Sequence, residues 1–474
     1  MWYIYTFGMG CSDVESVDLP SYTGDSVVMV EEKTITVEDV GADVEFMKAA
    51  ECGECHPSQY DEWRQSMHAY APLSPVFDAM AQKAFRDTSG EVGTFCTGCH
   101  TPIGTIQGED GSTVAAQRST ISRDGVSCDV CHSAVSHDTP IGNLSLNFAT
   151  DGAVYGPYQS AFDDGHDSKQ KEIFNSPELC GSCHDVFNFP GLRIEEAYTE
   201  YTTSPAAEMG QTCQDCHMSF TPGTTSSRPS EPIAYVDGQT YPNRSRSSHR
   251  FVGPDYSLLD SFPYADDTEK SQLAQEELKG QIQILLENAV QIGDISIERQ
   301  VENSPNTHKL SLYIESLVAG HNVPTGFTSE RQLWVEVTVR SSSGDIVFQS
   351  GNLDENLDLY DAHSWVVQHN PTLEDKQLVN FQSRNIQRHG EVELPTIEET
   401  VFPFDADFID KRSIKPLEKR LVNYEFPAVA SGTYSVSVRL RYRNLPPYLL
   451  RALQLDDLVP RLQIFTIDAV QIEL

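Results

Sequence analysis

The chain has 474 residues and a formal net charge of −37, which leaves room for two or three domains. It has no basic stripe to neutralise phosphates, so nucleic acid is excluded as a partner. No stretch approaches the roughly 18 consecutive apolar residues needed to span a bilayer, and the acidity is spread along the chain as on a solvated surface.

The first residues, MWYIYTFGMGCSD, are apolar and uncharged up to Cys11. They read as the end of a signal peptide whose basic beginning is missing. Cys11 after Gly10 resembles a bacterial lipoprotein site, where the cysteine carries lipid and attaches the chain to a membrane. An ordinary signal remnant with an incidental cysteine fits equally well. Residues 1–26 are thus expected to be an anchor and tether, and the location extracytoplasmic, in the periplasm or at the outer cell surface. Residues 27–37 (VVMVEEKTITV) read as one or two short strands.

Residues 27–260 form the expected first domain, organised by one pattern that occurs five times. Cys-x-x-Cys-His stands at Cys52–Cys55–His56, Cys96–Cys99–His100, Cys128–Cys131–His132, Cys180–Cys183–His184 and Cys213–Cys216–His217. This is the attachment signal for c-type haem. Two sulfurs at that spacing form thioethers to the two vinyl groups of one porphyrin, and the next histidine is held where its imidazole binds the iron. Of eleven cysteines only Cys11 lies outside the pattern. A disulfide framework needs no histidine after each pair, and structural zinc takes two pairs per ion, which leaves a fifth pair unmatched. The cofactors expected are five haem c groups with their iron. At roughly 33 residues per motif, none can have a private protein core of domain size. The macrocycles must then pack on one another and form a path for electrons. Weak hydrophobic periodicity in this block, with short helical runs such as Pro75–Phe85 between Gly- and Ser-rich loops, agrees with that.

Residues 261–300 read as a helical connector. Leu273, Leu278, Ile282, Leu285, Leu286 and Ala289 recur at helical spacing behind an N-cap at Asp267 or Thr268. Residues 301–474 change to a period of two. Leu310, Leu312 and Ile314 alternate with polar neighbours, as do Val335, Val337 and Val339, and again Val436, Val438, Leu440 and Tyr442. The fold class expected is therefore mixed: a mainly α and irregular haem-packed domain, then an antiparallel β-sandwich of immunoglobulin-like size.

WRQSMHA (Trp63 to Ala69), GVSCDVCH, SPELCGSCH, SPAAEMGQTCQDCHM and SHRFVG (Ser248 to Gly253) resemble the multihaem cytochrome c superfamily. That group includes the tetrahaem electron carrier of ammonia oxidisers, hydroxylamine oxidoreductase and pentahaem nitrite reductase. GHNVPTG (Gly320 to Gly326) is similar to an extracytoplasmic branch with a β-rich C-terminal domain. The resemblance implies that His68, His137, His166, His249 and His321 bind the second faces of the five irons. His137 follows His132 by only five residues, so it is expected to serve a different haem. Met67 and Met80 are rival ligands, and His308, His363, His369 and His389 read as ordinary strand or loop residues.

Bis-histidine, low-potential haems imply an extracytoplasmic electron carrier between redox proteins, such as donor and acceptor cytochromes or quinol-linked complexes. The alternative is a reductase or oxidase of small nitrogen or sulfur compounds with one open haem. All five motifs end in histidine, whereas the catalytic motif of pentahaem nitrite reductases ends in lysine, which weakens that alternative. A third reading is self-assembly as a filament subunit, with a histidine of one copy binding iron in the next.

Overall fold

The computed structural model describes residues 46–159, 165–188, 191–226, 228–300, 307–389, 396–427 and 433–473. The anchor, the tether, Cys11 and the strands expected over 27–37 lie outside these residues.

The five motifs each begin on a short helix: α1 (Ala49–Cys55), α2 (Phe95–His100), α3 (Cys128–His132), α4 (Glu178–Gly181) or α5 (Cys213–His217). In the fourth, a turn past the helix end carries Cys183 and His184, whose N–H groups donate to Cys180 O. Positions three and four apart share one helix face. One turn therefore aims both sulfurs and the following imidazole the same way. Glycine at the second motif position has a packing reason in two of them. A Cβ on Gly53 would stand 2.6 Å from the Tyr60 ring, and one on Gly181 2.3 Å from the Tyr198 ring. Between the motifs, apolar packing is sparse. Ala49, Trp63, Ala69, Tyr70 and Phe262 make one small cluster, and Ala134, Leu146 and Ile173 another. A hairpin of β1 (Ala134–His137) and β2 (Leu146–Phe148) follows α3 directly.

The connector is a single helix, α6 (Thr268–Glu287). Asp267 is its N-cap, the side chain accepting from Lys270 N at 3.0 Å. Replacing Asp267 by alanine is expected to cost about 1 kcal/mol, measured as a lowered denaturant midpoint of the haem-loaded protein. Leu278, Ile282, Leu285 and Leu286 are buried as the periodicity requires, but Leu273 is 68% exposed. The inward residue of that first turn is Ser271, which donates to Tyr264 O and accepts from Tyr264 N. Leu273 lies two residues further on, about 200° round the helix, so it faces solvent.

Three antiparallel sheets follow, the smallest with Arg384–His389 between Thr396–Thr400 and Phe408–Asp410. The first has the order β3 (Val290–Gln300), β4 (Thr307–Ser316), β8 (Lys419–Pro427). The second runs β6 (Ile346–Ser350), β5 (Gln332–Ser341), β9 (Tyr434–Arg443), β10 (Phe465–Glu473), with the short β7 (Val379–Asn380) also on β5. Leu310, Leu312 and Ile314 of β4, Val335, Val337 and Val339 of β5, and the inner face of α6 belong to one continuous apolar cluster. Each such side chain contributes about 1.5–3 kcal/mol through burial, so this half has the ordinary core that the haem-bearing half lacks. Trp334, fully buried, donates Nε1 to Gly351 O at 2.9 Å. Gly351 has a φ of +74°, and a Cβ there would stand 2.2 Å from Val335 O, so only glycine fits.

Candidate haem sites

Three motif histidines face a second histidine. His56 and His166 have ring centres 6.3 Å apart, His184 and His68 6.3 Å, and His217 and His321 6.0 Å. Imidazole nitrogens bind a first-row metal ion at about 2.0 Å, so two rings on opposite sides of one ion have centres roughly 6 Å apart. The spacing therefore fits an iron between the rings of each pair. His132 and His249 are electrostatic neighbours. Phe251 stands edge-on to both His68, at 4.6 Å, and His249, at 5.8 Å, and spaces the two rings. Glu62, itself buried, accepts from His249 N at 2.9 Å and from Arg246 at 2.7 Å. That fixes the SHRFVG segment against the helix before His68.

Burial pushes His68 down to about 3 and His100, His217 and His249 down to about 4. These imidazoles are neutral at physiological pH, the state a metal requires of them. The ring nitrogens not facing a partner are held by hydrogen bonds, which orient the others. His56 Nδ1 donates to Ile233 O at 2.7 Å, His132 Nδ1 to Tyr155 O at 2.5 Å, and His321 Nδ1 to Asn322 O at 2.8 Å. His184 differs: its Nδ1 donates to a carboxylate, Glu195 Oε1, at 3.1 Å. Burial lowers the pKa of His184, but Glu195 outweighs it and the result is about 9.

His100 is a second exception. Among the described residues its Nδ1 is buried without a hydrogen-bond partner. Phe77 stacks on the ring at 4.0 Å and 4°. A ring lying flat against another braces it and does not stand in line with its nitrogens. Arg118, also buried, is an electrostatic neighbour of His100 and donates to Asp78 Oδ1 at 3.1 Å.

Among the described residues no ring contact brings His137 to a motif histidine. Its Nδ1 donates to Asp138 O at 3.1 Å, and with Ser136, Glu172, Ile173 and Ser176 it lines an open surface depression. The register of the hairpin explains this: His137 pairs with Leu146 on a strand that begins two residues after His132. Among the described residues, then, neither His100 nor His132 has a histidine ring facing it, and His137 faces neither of them.

The thiols of different motifs are also electrostatic neighbours: Cys52 of Cys128, Cys183 of Cys99, Cys180 of Cys213, and Cys131 of both Cys180 and Cys183. The fourth motif thereby neighbours the second, third and fifth.

His321 lies on the Gly320–Gly326 loop, beyond α6. Glu200 accepts from Asn322 N at 3.1 Å, Asn322 Nδ2 at 2.6 Å and Thr325 Oγ1 at 2.6 Å. Ala206 N donates to Ala319 O at 3.1 Å. Burial pushes Glu200 up to about 7. Sequence reasoning missed Glu200, Glu195, Phe77 and Phe251, because none of them belongs to a spacing pattern.

Residues 51–133 match the family described as cytochrome c554 and c-prime. A cytochrome c-554 of Nitrosomonas europaea is 25% identical over 170 residues, 35% of this chain and 67% of that one. These likenesses support a multihaem cytochrome c. Haem c with its iron, and electron transfer by it, follow at that level. A penta-heme cytochrome c552 from Thermochromatium tepidum shares the fold of this cytochrome, with a TM-score of 0.57 at 18% identity. The alignment covers 90% of this chain and 99% of that one.

Proposed function

We propose that this cytochrome carries electrons between redox proteins outside the cytoplasm through five covalently attached haems. The histidine pairs carry the proposal. Three motif histidines, His56, His184 and His217, face His166, His68 and His321, and we assign His249, an electrostatic neighbour of His132, to the iron of His132. The iron supplies one-electron chemistry between its ferric and ferrous states. The chain's part is to close both faces, exclude water and keep neighbouring groups close, as the neighbouring thiols of different motifs support. The domains we infer are the tether 1–26, the haem domain 27–260, a connector that ends with α6, and an immunoglobulin-like sandwich. The sandwich takes in Val290–Gln300, expected in the connector, because this strand pairs with Thr307–Ser316; the two larger sheets lie face to face in it. No helix among the described residues is long and apolar enough to cross a membrane. Attachment through a lipidated Cys11 belongs to the same proposal.

One observation favours a second reading at one site. His100 has no facing histidine among the described residues, and the buried Arg118 beside it suits a small anion. A reductase or oxidase of small nitrogen or sulfur compounds would work there. Electron paramagnetic resonance of the purified ferric protein separates the readings. The expected spectrum has four low-spin haems and one high-spin haem, and carbon monoxide binds one haem in five after reduction. His137→Ala should leave that spectrum unchanged. Five low-spin haems that ignore carbon monoxide and nitrite would remove the second reading. Two or more high-spin haems would overturn the pairing.

A further inference from the structure

We infer that Glu195 makes the haem held by His184 the most negative of the five, and so the last to be reduced. This rests on the five-haem reading above and adds which residue orders the potentials. The argument begins with what each motif histidine meets at Nδ1. His56 and His132 donate to backbone carbonyls, which are neutral acceptors. His217 bonds the Val252 backbone, and His100 has no acceptor among the described residues. His184 donates to the Glu195 carboxylate at 3.1 Å. A charged acceptor makes a stronger hydrogen bond than a neutral one. It draws the Nδ1 proton away from the ring, raises the electron density at Nε2 and makes the imidazole a stronger donor to iron. A stronger donor favours the ferric over the ferrous state, which lowers the potential.

Two features make the effect large. Glu195 is 8% exposed, so water screens its charge poorly. It is also rigidly placed. The strand Arg193–Glu195 pairs with Val186–Phe187, with Val186 opposite Glu195, so the hairpin that carries the carboxylate rises directly from the CGSCH motif. Arg331, a partly buried cation near Glu195, already pairs with Asp255 at 2.7 Å. Arg331 weakens the field of Glu195 without taking its hydrogen bond.

The position matters because Cys180 and Cys183 of the fourth motif neighbour Cys213 of the fifth, Cys99 of the second and Cys131 of the third. The most negative haem would stand where these arms join. An electron crosses it without resting there, and the arms fill before it does.

The test is a potentiometric titration of the holoprotein, followed optically and by paramagnetic resonance, for the native chain and for Glu195→Gln. Haem is counted first by mass and by the alkaline pyridine spectrum. Fewer than five haems in the native chain would overturn the five-haem reading by itself, whatever Glu195 does. With five attached, the last fifth of the native absorbance to be reduced should shift in Glu195→Gln. At fixed potential its ferrous-to-ferric ratio should rise about tenfold, equal to about 59 mV for a one-electron couple, with a smaller shift at the haem of His100, which also neighbours Glu195, and the other three unmoved. Glu195→Asp, which keeps the charge, should return towards the native curve. Superimposable native and Gln curves would overturn the proposal. If Glu195→Gln retains only four haems, the difference between the two titrations isolates the missing one. It must then be the last reduced in the native chain; an early-reduced missing haem overturns the proposal as well.

Discussion

Replacing His321 by alanine is expected to turn one low-spin haem high-spin and to lower stability by about 4 kcal/mol, at the upper end for single substitutions, where loss of a metal ligand belongs. His321 is the only one of the five second-face candidates that lies beyond α6, and its ring centre is 6.0 Å from that of His217. An iron between them would tie the β-rich half to the haem-bearing half. The tie is not left to iron alone. Glu200 holds the same loop through Asn322 and Thr325, and Lys411 pairs with Glu196 at 2.6 Å. The loop should therefore stay near its place in His321→Ala, and the missing ligand rather than a displaced loop should dominate the spectrum. Glu200→Gln gives the complementary result: a smaller loss of stability with the haem still low-spin. Thermal melting read at the haem band and in the far ultraviolet checks both variants. A native spin-state spectrum in His321→Ala would show that another residue binds the iron opposite His217.

How much of this was legible beforehand follows from what makes a pattern. The five motifs were plain because thioether chemistry fixes both residue type and spacing within one helical turn. The strands were plain because alternation at Leu310, Leu312 and Ile314 reflects one buried face, and these residues are fully buried. The phase of α6 was legible over its second half only. Near its start a polar side chain, Ser271, points inward to satisfy the backbone of Tyr264, and no count of apolar residues can register that. The Nδ1 partners were invisible for a different reason. Ile233, Tyr155 and Glu195 reach their histidines from 177, 23 and 11 residues away, and two of the three act through backbone oxygens that any residue supplies. Counting histidines suggested a second ligand for each iron. The structure sets a second histidine against three motif histidines and shows no such ring contact for His137 among the described residues, which spacing alone could not foretell.

Removing both thiols of the fourth motif, with Cys180→Ala and Cys183→Ala together, should have the largest effect on electron transfer. The chain would carry four haems, shown by mass, and those four would no longer equilibrate as one set. The reason is the order of neighbours. Cys52 neighbours Cys128, so α1 and α3 stay together, but α2 reaches the rest through Cys99 and Cys183, and α5 through Cys213 and Cys180. Without the haem on α4, the remaining haems fall into three groups: those of α1 and α3, that of α2, and that of α5. Rapid-mixing reduction with a limiting amount of dithionite should then show separate phases in place of redistribution to the most positive site. The matching pair of substitutions at the second motif, Cys96→Ala with Cys99→Ala, is the contrast, because α2 ends an arm. It also removes one haem in five, yet the other four keep their contacts and should still share electrons rapidly. Far-ultraviolet spectra establish that the sheets form in both variants, as expected of a core that contains no motif residue. If the two double variants redistribute electrons equally well, α4 is not the junction, and the path must run through contacts other than these thiol corners.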